Sequence, residues 1–210
     1  MKNYKRTMLI TSLVILAPMI IGFILWNKLP NEIATHFDSS GIPDKYSNKL
    51  FTIVGIPLIL LAVQFFGMFF TKKNFEKAGK KMSLVTLWLC PLISLVVMLV
   101  IYTKALGYSL DVTYIGMGLV SFITILVGNY LPKVKQNSTI GIKIPTTLKD
   151  EENWYETHRF AGKLWVLMGF AVLVATFIKI NPLYTLAAWV MVVIAIPIVY
   201  SYRLDRNKNN

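Results

Sequence analysis

Met82–Tyr102 reads MSLVTLWLCPLISLVVMLVIY, 21 residues without a charged side chain. A helix needs about 20 apolar residues to cross the ~30 Å hydrocarbon core of a bilayer. Five further runs repeat the pattern: Met8–Trp26, Leu50–Phe70, Val112–Leu131, Leu164–Lys179 and Leu183–Tyr202. Backbone groups in lipid must be paired internally, and none of these runs alternates as a barrel strand would. The expected fold is all-α, a polytopic transmembrane bundle of six helices. It is expected to form a single integral membrane domain over 1–210. Residues 8–71 would hold the first two spans and a loop at 27–49, and residues 82–202 the other four and a loop at 132–163.

Composition points the same way. The chain is 55% hydrophobic and 15% charged, with mean hydropathy +0.58, against about 25% charged residues in a soluble domain. The missing charge is explained by surface that faces a lipid bilayer. Net charge is +12. The cations flank the apolar runs, as membrane topology requires, so direct nucleic-acid binding is not expected. The one cysteine, Cys90, falls within an apolar run and reads as packing. The first run is long for a signal sequence and lacks a small-x-small cleavage site, so no cleaved leader is expected.

Pro18, Pro57, Pro91 and Pro197 lie inside spans. Each removes an amide and frees a carbonyl, which a neighbouring helix must satisfy; kinks are expected there. The fifth and sixth spans, parted by little more than Asn181-Pro182, should form a tight helical hairpin.

Lys and Arg set the orientation. With the N-terminus inside, the inner segments hold 17 of the 22 cations: Lys2, Lys5 and Arg6; Lys72, Lys73, Lys77, Lys80 and Lys81; Lys133, Lys135, Lys143, Lys149, Arg159 and Lys163; Arg203, Arg206 and Lys208. Lys28, Lys45, Lys49, Lys104 and Lys179 remain outside. Both termini are therefore expected in the cytoplasm. The loop Asn27–Lys49 then lies outside and Gly128–Lys163 inside.

The outer loop reads NKLPNEIATHFDSSGIPDKYSNK and is rich in turn residues at Ser39-Ser40-Gly41 and Ile42-Pro43-Asp44. Glu32, His36 and Asp38 could share a metal, or stand as solvated loop groups with one histidine bonded to backbone. Calcium-loop spacing is absent. The two histidines, His36 and His158, fall on opposite sides of the membrane and cannot share a site. No metalloprotease pair, nucleophile elbow or phosphate-binding glycine loop occurs, and no ionised group lies mid-span. Gln64 and Asn129 are in-span amides that suit interhelical hydrogen bonds. Catalysis, a cofactor and a metal site are not expected.

In the inner segment, Ile140, Ile142 and Ile144 alternate around Lys143, which suggests a short extended piece ended by Pro145. Thr146 or Thr147 could cap a following helix, with Asp150, Glu151 and Glu152 in its first turn. Trp154, His158 and Ala161 share one face, which predicts an amphipathic interfacial helix before the fifth span, with Trp154 and Tyr155 at headgroup level. Glu156 and Arg159 would pair at i, i+3. This helix could dock a cytoplasmic partner or close the inner end of the bundle.

Two blocks resemble the SdpI family of bacterial membrane immunity proteins. In the outer loop these are Leu29-Pro30, Ile33 to Phe37, Gly41 and Lys49. In the inner segment they are Gly128-Asn129, Asn137, Gly141-Ile142, Pro145, Thr147-Leu148, Glu152, Trp154, Thr157-His158-Arg159 and Ala161-Gly162-Lys163. The family often has Arg and Trp where this chain has Lys143 and Thr146. The resemblance implies a multi-pass membrane protein that protects against a secreted toxic peptide. It also implies a receptor that, once toxin-bound, recruits an ArsR-type repressor. On that footing Glu32, His36, Phe37 and Asp38 would meet toxin. Asn129, Asn137, Gly141, Lys143, Pro145, Thr147, Trp154, His158 and Arg159 would form the partner-docking or interfacial block. A small exporter of peptide or lipid, and a membrane enzyme with a metal at Glu32, His36 and Asp38, are the alternatives.

Overall fold

The computed structural model describes residues 2–38, 40–71 and 79–209. Ser39 and the loop cations Lys72, Lys73 and Lys77 lie outside the described residues. Six helices are long and apolar enough to cross a membrane: Tyr4–Ile24, Phe51–Phe69, Lys81–Ala105, Val112–Lys133, Glu151–Phe177 and Pro182–Lys208. Only 17% to 39% of each span is buried within the protein. Leu9, Phe66, Leu99, Leu167 and Phe177 are each more than 60% exposed, a surface that only hydrocarbon can cover. The chain divides into two compact units, Met1–Met68 with Thr86–Gly116, and Phe69–Val85 with Met117–Asn210.

The first unit contains α1 (Lys2–Ile24), β1 (Glu32–Phe37), β2 (Pro43–Asn48), most of α2 (Ile56–Thr71), most of α3 (Lys80–Ala105) and the first turn of α4 (Val112–Tyr130). The turn-rich loop folds as an antiparallel hairpin of β1 and β2, an element the sequence reading did not contain. Ile33 of β1 drops into a core with Leu29, Ile53, Met98, Ile101 and Tyr102, which seats the hairpin on the helix ends. Gly22 permits this: a Cβ there would collide with the Tyr102 hydroxyl and with Ile53. Tyr102 donates to the Pro18 carbonyl (3.0 Å) and Ser94 to the Ile15 carbonyl (2.9 Å). These two bonds tie α3 to α1 on either side of Pro18, whose missing amide would have met Val14. Gln64 bonds Thr11 (3.1 Å) and Ser12 (3.3 Å) across α1 and α2, the interhelical role its position suggested.

The second unit contains the rest of α4, a 3₁₀ turn at Leu131–Lys133, α5 (Pro145–Lys149), α6 (Glu151–Phe177), α7 (Pro182–Val190) and α8 (Ile196–Asn209). Small residues bring α4 and α6 together in antiparallel register. Ser121 donates to the Gly169 carbonyl (2.7 Å), and one helical heptad away a Cβ on Gly162 would sit 2.8 Å from the Gly128 carbonyl. Close backbone approach through small residues is how helices associate without a hydrophobic drive between them.

Two of the four span prolines follow a π-turn. Phe51–Gly55 precedes Ile56-Pro57, and Met191–Ala195 precedes Ile196-Pro197; in each the isoleucine amide reaches back five residues, to Phe51 and to Met191. A proline cannot bond the carbonyl four residues earlier. For Pro197 that carbonyl belongs to Val193, and the indole N–H of Trp165 on α6 donates to it at 2.9 Å.

The expected tight turn joins α6 to α7. Asn181 caps α7 by accepting from the Leu183 amide (2.9 Å), with Pro182 in the first helical position. α6 closes through Ile180 N–H to the Ala175 carbonyl (2.9 Å), which places Lys179 at φ 61°. A β-carbon is disfavoured there and glycine is the usual occupant. Lys179→Gly is therefore expected to stabilise the protein by about 1 kcal/mol. Equilibrium unfolding in detergent would check this, and a loss of stability would show that the lysine side chain outweighs its backbone strain.

Candidate functional site

The chemistry-bearing residues gather in two places, one in each unit. In the hairpin, Asp38 organises the tip: its Oδ1 accepts from the amides of Ser40 (2.8 Å) and Ile42 (2.9 Å). Gly41 supplies the positive φ of 76° that this turn needs. The register shifts between Ala34 and His36 and again between His36 and Phe37, and alternation from the buried Ile33 leaves His36 on the exposed face. His36 Nδ1–H donates to Asp44 on the opposite strand at 2.5 Å. Glu32, at the far end of β1, and Asp38, spent on the turn, do not converge on His36. Among the described residues no group of His, Cys, Asp or Glu is placed to hold a metal.

The hydrogen bond from His36 holds the Asp44 carboxyl below its ordinary value of 3.8. A depressed carboxylate contributes stability that is whole above its unfolded value and lost as pH falls through its folded one. The hairpin tip is thus expected to loosen below about pH 3.8 in the native chain and not in Asp44→Asn. Backbone amide exchange of residues 36–45 at pH 3 and pH 6 would read this; an equal acid response in both proteins would remove the pair from the hairpin's stability.

In the second unit, residues 134–150 wrap over the first turns of α6. Asp150, not Thr146 or Thr147, caps that helix, accepting from the Glu152 amide (2.9 Å). Thr147 instead caps the start of the short α5, accepting from the Ile144 amide (3.1 Å) and donating to the Ile142 carbonyl (2.7 Å). The expected amphipathic stretch runs without a break into the fifth span as α6. Its Trp154–His158 face does not meet headgroups: Trp154 is 2% and His158 0% exposed. They are covered by the chain's own preceding segment. Tyr155, about a quarter-turn round the helix from that face, is exposed.

Three hydrogen bonds and one ring stack make this clasp. Trp154 Nε1–H donates to the Val134 carbonyl (2.8 Å). Trp154 stacks on His158 with ring centroids 4.0 Å apart. The Ile142 amide donates to His158 Nε2 (2.9 Å), so Ile142 bonds a side chain rather than joining an extended pair. His158 Nδ1 lies 2.8 Å from the Trp154 carbonyl. A carbonyl only accepts and an amide only donates, so His158 is the neutral Nδ1–H tautomer. Gly141, at φ 122°, lies so close that a Cβ would collide with His158 Nε2. Asn137 shapes the entry: its amide group donates to the Lys135 (2.8 Å) and Ile140 (3.0 Å) carbonyls, and its oxygen accepts from the Thr139 and Ile140 amides.

Behind the clasp lies a buried polar network of Thr146, Asn153, Thr157 and Ser201; the sequence offered Thr146 only as a helix cap and Thr157 only within the resembling block, and Asn153 and Ser201 went unread. Thr146 donates to Ser201 (2.7 Å), Ser201 to Asn153 Oδ1 (2.6 Å), and Thr157 to the same oxygen (3.0 Å). Asn153 Nδ2 returns to the Ser201 carbonyl (2.9 Å). The only forewarning was Asn153 and Thr157 at i, i+4. The ion pairs here are Lys149–Asp205 (2.8 Å) and Lys208 with Asp150 and Glu152 (2.6 Å each), not the expected Glu156–Arg159. Lys208 holds the Asp150 carboxyl below the usual carboxylate range. Asn129, Lys143, Pro145 and Arg159 are exposed and stand outside the clasp.

Six apolar spans, a hairpin between the first two and a self-clasped segment before the fifth define a multi-pass membrane protein of the cell membrane, seated in the lipid bilayer. The SdpI/YfhL protein family model matches residues 133–201, the whole clasp and its network, and the domain of unknown function DUF1648 matches residues 13–61, which contain the hairpin. The immunity protein SdpI of Bacillus subtilis (strain 168) is 30% identical over 177 residues, 80% of this chain and 81% of that protein. The chain belongs to the SdpI family. No solved structure matches it.

Proposed function

We propose that this chain is a membrane immunity protein that protects its cell from a secreted toxic peptide. The observation that carries the reading is the 30% identity to an immunity protein across 80% of the chain. Counting of Lys and Arg supports both termini inside, which puts the hairpin outside, where a secreted peptide arrives. Glu32, His36 and Phe37 are the contact residues, with Asp38 holding the tip that presents them. The segment before the fifth span then faces the cytoplasm. There the toxin-bound state sequesters an ArsR-type repressor, and the exposed Lys143, Pro145 and Arg159 are the docking residues. Trp154, His158, Asn137, Gly141 and Thr147 hold the platform in shape beneath them.

The test is a killing assay. The full chain is expressed in a sensitive strain that lacks its own immunity protein, which is then challenged with the toxin neutralised by the Bacillus subtilis relative. Survival should return with expression; unchanged killing at full membrane levels would end the reading. The repressor step is tested separately, by whether a tagged repressor moves to the membrane fraction only when chain and toxin are both present.

A further inference from the structure

Among the described residues the sheet consists of β1 and β2, so β2 has a strand neighbour on one side only. β1 is the inner strand, anchored by Ile33 at 1% exposure, while Asp44, Lys45 and Tyr46 of β2 are exposed. The Lys49 amide donates to the Asn31 carbonyl (2.8 Å) and so sets the phase of the ladder. In antiparallel strands, residues that exchange bonds alternate with residues whose backbone groups point away. Ile33 and Ser47 fall in the bonded pair, and Ala34 and Tyr46 in the next, outward one. The N–H and C=O of Tyr46, and the N–H of Asn48, therefore point off the free edge.

Such edges template pairing with another extended chain, and proteins usually guard them with proline, bulges or charge. Here the guards sit at the tip: Pro43 begins the strand and both register shifts lie beyond Ala34, so Tyr46–Asn48 stays regular and open. The edge also has a stated chemistry. Asp44 is taken by His36, whereas Lys45 forms no ion pair among the described residues. Tyr46 faces Ala34, too small to cover it, and remains 59% exposed.

We infer that the free edge of β2 takes up an extended segment of a peptide as a third strand, with an aromatic or β-branched residue opposite Tyr46 and an acidic side chain beside Lys45. This rests on the immunity reading and names how the toxin is held. Main-chain bonds supply the binding, and the Tyr46 and Lys45 side chains select the sequence.

Tyr46→Pro removes the outward amide and no ladder bond, whereas Tyr46→Val keeps the amide and the strand. In the killing assay, at equal membrane levels, Tyr46→Pro is expected to lose at least tenfold in the toxin concentration tolerated, and Tyr46→Val, which loses the selecting ring and keeps the main-chain donor, to lose clearly less than Tyr46→Pro. A direct measurement covers the case in which proline distorts the hairpin. In nanodiscs with purified toxin, the Tyr46 amide of the native chain should exchange at least tenfold more slowly than without it, while the Ser47 amide is slow in both. Full protection by Tyr46→Pro, or a Tyr46 amide indifferent to bound toxin, would overturn the inference and leave immunity standing. A Tyr46→Pro chain that changes its oligomeric state while protecting normally would assign the edge to a second copy and overturn it too. If the native chain gives no protection, both readings fall.

Discussion

Trp154→Ala should destabilise the protein by about 3–5 kcal/mol, the range for removing a fully buried large aromatic. Three terms converge on this side chain. It fills the space under residues 134–140, it stacks on His158, and its N–H satisfies the Val134 carbonyl. Stacking of such pairs adds about 0.5–1.5 kcal/mol beyond burial, and a carbonyl left bare in the interior costs about 1–3 kcal/mol. Trp154→Phe keeps a ring on His158 while losing the indole donor and part of the buried volume, so it should cost less than Trp154→Ala. Unfolding in mixed detergent, followed by loss of helical circular dichroism, gives the free energies. A Trp154→Ala chain within 1 kcal/mol of the native one would mean that the clasp does not hold the segment to α6. Gly141→Ala should damage the same clasp from the other side, because its Cβ would displace His158 from the Ile142 amide and strain a backbone at φ 122°.

The second large effect concerns a carbonyl within the sixth span. Trp165→Phe keeps the apolar ring and deletes the donor that Val193 receives in place of the amide Pro197 lacks. An unsatisfied carbonyl in this setting should cost about 1–3 kcal/mol. Pro197→Ala restores an amide four residues after Val193, so in that background Trp165→Phe should be nearly neutral. The double-mutant cycle therefore predicts a coupling close to the whole single-mutant cost. If Trp165→Phe costs the same in both backgrounds, the bond is incidental to the proline. The same pairing explains why proline is tolerated here: it follows a π-turn, and a neighbouring helix supplies the missing donor.

Much of this protein was legible before any coordinates. The six spans, the short turn at Asn181-Pro182, the bridging role of Gln64 and the need for outside donors near span prolines all follow from residue type and local spacing. The hairpin was not legible. Asn31 to Asn48 reads as turn chemistry, and its strands exist because Ile33 finds a core made by α1, the start of α2 and α3. Thr146 was read only as a helix cap, and Ser201 was passed over because an isolated small polar residue in an apolar run signals nothing until its partners Thr146 and Asn153, some 50 positions away, are known. Trp154 was placed at the headgroups because one face of a helix does not reveal whether lipid or chain will cover it.

The sequence alone therefore decided that the chain carries six helices fit to cross a membrane, since burial in hydrocarbon is a local sum over about 20 residues. Only the tertiary structure decided which donor meets which acceptor: Trp165 with Val193, Trp154 with Val134, Ile142 with His158. Those choices depend on helix ends and turns brought together across the fold. In a medium without water, a polar group unpaired by its own segment must find its partner there.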